Sequence, residues 1–155
     1  DNEGGDKQKQ KLKMQRRHLT AGAIGLIRNL SGNDEIKTTL CLGSNTNETA
    51  SSSDRTSTSV LPSILQGMKL YRTDASIQEH GCGALAAMAL RRPANAMRIV
   101  RQDGPRELLT GMRQFPGNVL VQRQGALAIR NIVSRLVANP SLLADAGGDS
   151  GGGGG

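Results

Sequence analysis

Four arginines and two asparagines have the side-chain types and the spacing that suit binding chemistry. They are Arg28, Asn29, Arg91, Arg130, Asn131 and Arg135. The two Arg-Asn pairs stand in nearly identical phrases, IRNL and IRNI. A planar guanidinium group holds a carboxylate or a phosphate through two parallel hydrogen bonds. We therefore expect these residues to bind an acidic or phosphorylated segment of a partner protein.

Patterns of catalytic and metal-binding residues are missing from the sequence. His18 and His80 are the only histidines, and no cluster of His, Cys and carboxylate residues has the spacing of metal ligands. Motifs of nucleophilic hydrolases, P-loop proteins and dinucleotide-binding proteins are missing as well. We therefore expect no catalytic residues, no metal site, no cofactor, no small-molecule substrate and no enzymatic activity. Cys41 and Cys82 lie in apolar surroundings and are predicted to be buried thiols rather than a disulfide.

The chain is basic, with a formal net charge of +7. Residues 60–148 hold eleven Lys plus Arg against five Asp plus Glu, so the excess is not confined to the basic segment at 7–18. We interpret that segment, KQKQKLKMQRRH, as a solvated and partly helical lead-in; the alternatives are a nuclear address and a nucleic-acid-binding arm. No apolar run approaches the roughly 18 residues of a membrane span, so no membrane partner is expected.

The sequence repeats itself at a separation of 44 residues. The phrase LLTGMRQF, which ends in Phe115, matches the phrase ILQGMKLY, which ends in Tyr71, and these are the only two aromatic residues of the chain. The match continues without a gap, and it defines two complete units at 60–104 and 105–148.

A third, partial copy of the unit occupies residues 19–43. The Ser/Thr-rich segment 44–59 separates it from the next unit, and because this segment is too polar to bury a core face, we predict a disordered loop. Residues 1–18 form the basic lead-in, and residues 149–155 form a Gly-rich linker. Because the chain begins with Asp and ends in a run of glycines, we expect it to be a fragment of a longer protein.

Each unit has the apolar spacing of a helix with one buried face. In the last unit this face consists of Val121, Gly125, Ala128, Ile129 and Ile132. The second position of the face is always small, Ala23 or Gly81 in the other copies, and we expect it to let a neighbouring helix come close. Since strand patterns are nearly missing, the predicted fold class is all-α, a solenoid of repeated helices.

Helix ends are also signalled in the sequence. Pro62 and Pro116 stand at expected helix boundaries. Asn33 and Asn95 are expected to cap short helices at their N-termini, and Gly104 is expected to end a helix in a left-handed conformation.

The phrase GALAIRNIV, which is followed by an Asn and then a Gly pair, resembles the armadillo repeat consensus. The resemblance covers residues 19–43 and 60–148, and it implies a right-handed α-solenoid of armadillo-type repeats with a concave groove. In peptide-binding members of that family, the long helix of each repeat offers an Asn to the backbone of the ligand, to which one amide both donates and accepts. The resemblance makes Asn29 and Asn131 groove residues, whereas the middle copy has Ala87 at this position.

The same family members place a Trp one turn before the Asn, where this chain has Gly25, Gly83 and Leu127. The Trp–Asn ladder that binds Lys-rich signals is therefore incomplete, and the positive charge of the chain would repel such a signal, so we expect no role in nuclear import. Arg28 and Arg130 directly precede the matched asparagines. Arg91 and Arg135 follow the Asn position by four residues, which predicts that they lie one turn further along the same helix surface.

A structural interpretation of these residues stays open from the sequence. The arginines are then solvated or bonded to carbonyls of a neighbouring repeat, and the asparagines bond a loop of the adjacent unit. The predicted function is a protein-protein interaction scaffold with a concave groove. The alternative is a nucleic-acid-associated basic solenoid. The expected location is the cytoplasm, with the nucleus as a second compartment.

Overall fold

The computed structural model describes residues 3–43 and 59–144. The helices are α1 (Glu3–Leu30), α2 (Asp34–Leu42), α3 (Leu61–Leu70), α4 (Ala75–Ala89), α5 (Pro93–Arg101), α6 (Gly104–Gln114), α7 (Val119–Val137) and α8 (Ser141–Ala144). No strand occurs in the described ranges, which confirms the all-α prediction for them. The predicted loop at 44–59, apart from Ser59, and the predicted linker at 149–155 lie outside the described residues.

Helix α1 runs across the predicted boundary between the lead-in and the partial repeat. Residues 4–19 are exposed and helical, so the lead-in is one continuous helix from residue 3 onward. Its alternating Lys and Gln residues favour a helix but offer no apolar stripe to bury. Packing begins near Thr20, and Ile24, at 3% exposure, belongs to the core.

The three long helices form a row in which α4 contacts both α1 and α7. The shorter helices pair in the same order, since α2 contacts α5 and α3 contacts α6. α4 is the centre of the core, where Ile77, Leu85 and Met88 are fully buried. α1 and α4 run in the same direction, because Arg17 lies against Asp74 while Arg28, further along α1, lies against Gly83.

A glutamine of α4 forms hydrogen bonds with the end of α3, and a glutamine of α7 does the same with the end of α6. Nε2 of Gln78 donates hydrogen bonds to the carbonyl oxygens of Met68 and Tyr71, at 2.9 and 3.2 Å. The residue 44 positions later, Gln122, makes the same two bonds in the next unit, at 2.7 and 3.0 Å. The last carbonyls of a helix have no partner within the helix, so the glutamine satisfies groups that burial would otherwise leave unpaired.

Glycine at the second position of the buried face sets the distance between the same two helices. A Cβ atom at Gly81 would lie 2.6 Å from Cγ and Sδ of Met68, and one at Gly125 would lie 2.6 Å from the same atoms of Met112. Real Cβ atoms do not come this close to other heavy atoms. The expectation that a small residue admits a neighbouring helix is therefore confirmed at both positions.

Asparagine and aspartate side chains begin three of the helices. Oδ1 of Asn33 accepts from two backbone N–H groups at the start of α2, as predicted. Asp74 caps α4 in this way, and Asn118 caps α7 at the matching position of the next unit. These bonds satisfy donors that the first helical turn leaves without partners.

Two of the predicted helix ends are wrong. Asn95 lies inside α5 rather than at its cap, because Pro93 already begins the helix. Its buried Nδ2 donates to the Met88 carbonyl at 3.0 Å. Gly104 begins α6, and the left-handed residue is Asp103, with φ of 64°. Glycine is needed at 104 for space, since a Cβ there would lie 2.4 Å from Cγ2 of Ile99.

Replacing Gln78 by alanine is expected to lower the free energy of unfolding by about 2–3 kcal/mol, because two carbonyl groups lose their donor in a buried position. Urea denaturation followed by circular dichroism measures the change. Gln66, which is exposed on α3, supplies the matched control, and Gln66→Ala is expected to change stability by less than about 0.5 kcal/mol. Equal effects of the two substitutions would contradict the role of the glutamine bonds.

Candidate functional site

The predicted site residues lie on or beside the three long helices. Arg28 and Asn29 stand in the last turn of α1, and Arg130, Asn131 and Arg135 stand in the second half of α7. Because α4 separates these two helices, the candidates are spread along the row and do not form one cluster. Their individual contacts decide which of them are free to meet a partner.

Arg91 lies outside the long helix, against the expectation that it continues the helix surface. α4 ends at Ala89, and Arg91 sits in the following turn with φ of 58°, exposed to solvent. Pro93 explains the difference, since the residue before a proline avoids the helical conformation, and Arg92 is extended, with φ −128° and ψ 90°. Arg135, at the matching position of the next unit, does stay on α7.

Arg28 is used within the molecule, where it connects α1 to α4. Its Nη1 donates to Oε1 of Glu79 at 3.4 Å. The side chain crosses α4 at Gly83, where a Cβ atom would lie 2.6 Å from Nε of the arginine. The glycine at this position therefore makes room for the guanidinium group, and Arg28 is already paired with a carboxylate.

Asn131 is also used within the molecule. It is 4% exposed, and its Nδ2 donates to the Ala86 carbonyl of α4 at 2.9 Å. This contact agrees with the alternative in which the asparagine bonds the adjacent unit, although the acceptor belongs to a helix rather than a loop. One of the two Nδ2 donors of Asn131 is therefore used inside the molecule, and at 4% exposure little of the side chain faces solvent. Its place in the groove stays a prediction. Asn29, by contrast, is exposed.

Most of the described carboxylates between α2 and α6 form ion pairs. Asp34, Asp74, Glu79, Asp103 and Glu107 each lie within 4.0 Å of a lysine or arginine nitrogen. Several arginines from 91 onward have no described carboxylate within that distance: Arg91, Arg98, Arg101, Arg113, Arg123, Arg130 and Arg135. The positive charge left over by these pairs is carried mainly by arginine.

Three of these arginines belong to the neighbouring helices α4 and α7, one in the turn after α4 and two in the second half of α7, and we call them together the arginine surface: Arg91, Arg130 and Arg135. Arg91 and Arg130 are exposed, and Arg135 is half-buried. Arg91 and Arg135 also stand near helix C-termini, where a cation balances the partial negative charge of the helix. Each retains guanidinium donors suited to a carboxylate or phosphate.

Two carboxylates form ion pairs that the sequence does not predict. Asp74 bonds Arg17, and the 3%-exposed carboxylate of Glu107 lies 4.0 Å from Nζ of Lys69 and 3.5 Å from Nη2 of Arg72. The partners are far apart in the chain, and no local spacing signals such contacts. Of these residues only Asp74 carries a signal in the sequence. It stands at the position where the next unit has Asn118, which caps α7.

Both cysteines are free and buried, which confirms the prediction of core thiols. Burial raises the pKa of Cys41 and that of Cys82 to about 12 each. Both side chains therefore stay protonated near neutral pH, where a thiolate is the reactive form.

Comparisons with models of known protein families, with curated proteins and with solved structures give no match for this chain. Across residues 3–43 and 59–144, none of the helices is both long enough and apolar enough to span a bilayer. In the same residues, no three His, Cys, Asp or Glu side chains come together as metal ligands would. The contacts described above are accordingly the basis for any functional assignment.

The Asp74 carboxylate is expected to make folding depend on pH in the acid range. Burial acts to raise its pKa, but the bonds from Arg17 and from the backbone N–H groups of Ile77 and Ser76 outweigh burial and hold the pKa below the ordinary 3.8. The unfolded chain therefore binds more protons in this range, so the stabilisation is present above pH 3.8 and is lost as the pH falls below it.

Asp74→Asn keeps the capping oxygen and removes the charge. We expect the variant to be less stable than the parent chain near neutral pH, and the difference to shrink as the pH falls below the ordinary value of 3.8. Urea denaturation at a series of pH values measures this. Arg17→Ala is the companion variant, in which the acid-range loss should be smaller. A stability difference that is independent of pH would contradict the role of the charge.

Asn131→Ala is expected to lower the free energy of unfolding by about 1–3 kcal/mol, because the Ala86 carbonyl loses its donor in a buried position. Asn29→Ala, at the matching but exposed position of α1, is the control and should change it by less than about 0.5 kcal/mol. Thermal and urea denaturation of both variants provide the comparison. A stable Asn131→Ala variant that loses partner binding would place this residue in the groove.

Proposed function

We propose that this chain is a non-enzymatic interaction scaffold, a right-handed α-solenoid of armadillo-type repeats that binds an acidic or phosphorylated segment of another protein. The main support for the proposal is the contact between Arg28 and Glu79. The guanidinium group of Arg28 reaches across the neighbouring helix α4 and donates to the Glu79 carboxylate at 3.4 Å. Arg130 occupies the matching position on α7, is exposed, and has no described carboxylate within 4.0 Å.

Two observations support the solenoid arrangement: contacts that recur within both complete units, and the order in which the helices pack. The glutamine bonds and the close glycine-methionine approach recur at the same positions 44 residues apart. The long helices contact one another in chain order, and so do the short helices. In a solenoid each repeat contacts its neighbours in this manner, and the row of long helices forms an extended binding surface.

The charge distribution supports an acidic partner. The described carboxylates between α2 and α6 are nearly all paired, whereas the arginine surface has no described carboxylate within 4.0 Å. A carboxylate or phosphate from a partner would give these guanidinium groups charge-assisted hydrogen bonds, which are roughly twice as strong as neutral ones. A phosphoserine adds nearly two negative charges and three acceptor oxygens.

Fluorescence anisotropy with a labelled peptide of alternating glutamate and phosphoserine tests this function. Arg130→Glu with Arg135→Glu is expected to weaken binding by at least about tenfold, since each lost charge-assisted bond contributes about 1.5–3 kcal/mol. The matched control is Arg101→Glu with Arg113→Glu, which makes the same change in net charge at exposed helix ends outside the arginine surface.

The control double variant should weaken binding by less than about threefold, an effect of the general field alone. Equal losses in the two double variants would show that only net charge matters and would overturn the assigned surface. Complete absence of binding to the acidic peptide at low salt would overturn the proposed partner class.

Nucleic-acid binding is the second candidate function, and a separate observation favours it. The first half of α1 is a helix exposed on all sides that carries Lys7, Lys9, Lys11, Lys13 and Arg16. Such a basic helix suits phosphate backbones. On duplex DNA the logarithm of the affinity should then fall with the logarithm of salt by about 0.9 per phosphate contact. Lys9→Glu with Lys13→Glu should remove this binding while leaving the acidic peptide bound.

A further inference from the structure

Helix α1 exposes an apolar face that the other long helices bury. We call it the α1 face, and it consists of Leu19, Ala23 and Leu26. Leu19 is 73% exposed and Leu26 is 59% exposed. The matching residues of α4 are Ile77, Gly81 and Ala84, and those of α7 are Val121, Gly125 and Ala128, all of them buried.

In both complete units the same type of helix covers this face. α3 lies on α4 and α6 lies on α7, with Met68 and Met112 seated over the two glycines. Each covering helix has two adjacent aliphatic residues, Ile64-Leu65 or Leu108-Leu109, four positions before its methionine. The α3–α4 and α6–α7 contacts are thus two copies of one interface. They show which kind of helix would fit the α1 face.

The place for such a helix is open in the described part of the chain. A groove of about 800 Å³ runs between α1 and α3, and its lining includes Leu19, Thr20, Tyr71 and the 66%-exposed Leu70. α6 occupies the matching place in the next unit, where it contacts α3, α4 and α7 together. A helix in the groove would likewise touch both α1 and α3.

No described helix of this chain is free to fill the groove. α3 and α6 already cover α4 and α7, and each is held there by the glutamine bonds at its end. A second copy would have to remove one of these helices from its own core in order to supply it. A helix that belongs to a partner protein would fit the groove without such a loss.

Charge defines the occupant further. Cationic side chains lie on and next to these surfaces. Lys11 lines the hollow over the α1 face, Arg16 lines the groove, and Lys9 and Lys13 line a neighbouring hollow beside Tyr71. An acidic flank on the incoming helix would pair with them, whereas a basic flank would be repelled.

We infer that the α1 face is a docking site for a short amphipathic helix of a partner protein, one with an aliphatic pair, a methionine four residues later and an acidic flank. Helix-in-groove recognition of this kind reads apolar anchors one turn apart. The inference does not depend on the proposed function, because it concerns a different surface and a mainly apolar contact.

The test uses the full chain and a helix-stabilised, fluorescein-labelled peptide with the sequence of residues 104–116. A second peptide carries Arg106→Glu and Arg113→Glu, which gives it the acidic flank. Fluorescence anisotropy should show saturable binding of both peptides, with the acidic peptide bound more tightly. Ala23→Glu in the chain should weaken binding by about tenfold or more, as a charge placed in the centre of an apolar contact does.

Val133→Glu is the matched control, because Val133 is an apolar residue of α7 that is 51% exposed and lies outside the α1 face. This variant should bind both peptides as the parent chain does, and a peptide with Met112→Glu should not bind the parent chain. Both chain variants alter exposed positions, so circular dichroism should show unchanged helix content. If Ala23→Glu loses helix content, Leu19→Glu replaces it in the test, and this variant is expected to weaken peptide binding equally.

Three results would overturn the inference. The first is the absence of saturable binding by either peptide. The second is equal weakening by Ala23→Glu and Val133→Glu, which would mean that the peptide displaces α6 or binds elsewhere. The third is a dimer of the parent chain, seen by light scattering, that Ala23→Glu converts to a monomer, because the occupant would then be a second copy.

Discussion

The fit of α3 on α4, repeated by α6 on α7, is the constraint on which the rest of the structure depends. Two features make the fit possible at the same place. Gly81 lets the backbone of α4 approach Met68 without a clash, and Gln78, one turn away, bonds the carbonyls at the end of α3. Close approach alone would bury unpaired carbonyl groups, so the glycine and the glutamine are needed together.

This constraint explains how the chain distributes its polar groups. The buried face between helices is apolar, so contacts between neighbouring helices are completed at its margins by ion pairs and by bonds from side chains to carbonyls. Lys37 is an extreme case, since it is only 1% exposed and its Nζ lies 2.7 Å from Asp34 and 3.2 Å from the Leu90 carbonyl. A buried cation is tolerated only when it is paired in this way.

The same arrangement creates the two surfaces that remain open. Ion pairs engage most of the described carboxylates between α2 and α6 and leave Arg130 and Arg135 with no described carboxylate within 4.0 Å. The pairing of long and short helices leaves the face of α1 around Ala23 uncovered among the described residues. One surface is polar and cationic, the other is apolar, and the two therefore suit partners of different chemistry.

Much of this protein follows from the sequence because the relevant interactions are local. Apolar spacing predicts the helices, the separation of 44 residues predicts the matching units, and an Asn-Asp pair predicts the cap at Asn33. The small residues at Gly81 and Gly125 likewise signal close helix contacts in advance. Each of these signals acts within a few residues of the chain, where backbone geometry already fixes which side chains meet.

The roles of the candidate site residues were decided only by the tertiary structure. Asn29 and Asn131 are equivalent in sequence, yet the first is exposed and the second bonds Ala86, 45 residues away in the chain. Arg28 and Arg130 also occupy matching positions, yet Arg28 pairs with Glu79 and Arg130 has no carboxylate partner in the described part of the chain. A repeated phrase specifies its own helix, whereas the partners of its side chains depend on which helix packs beside it.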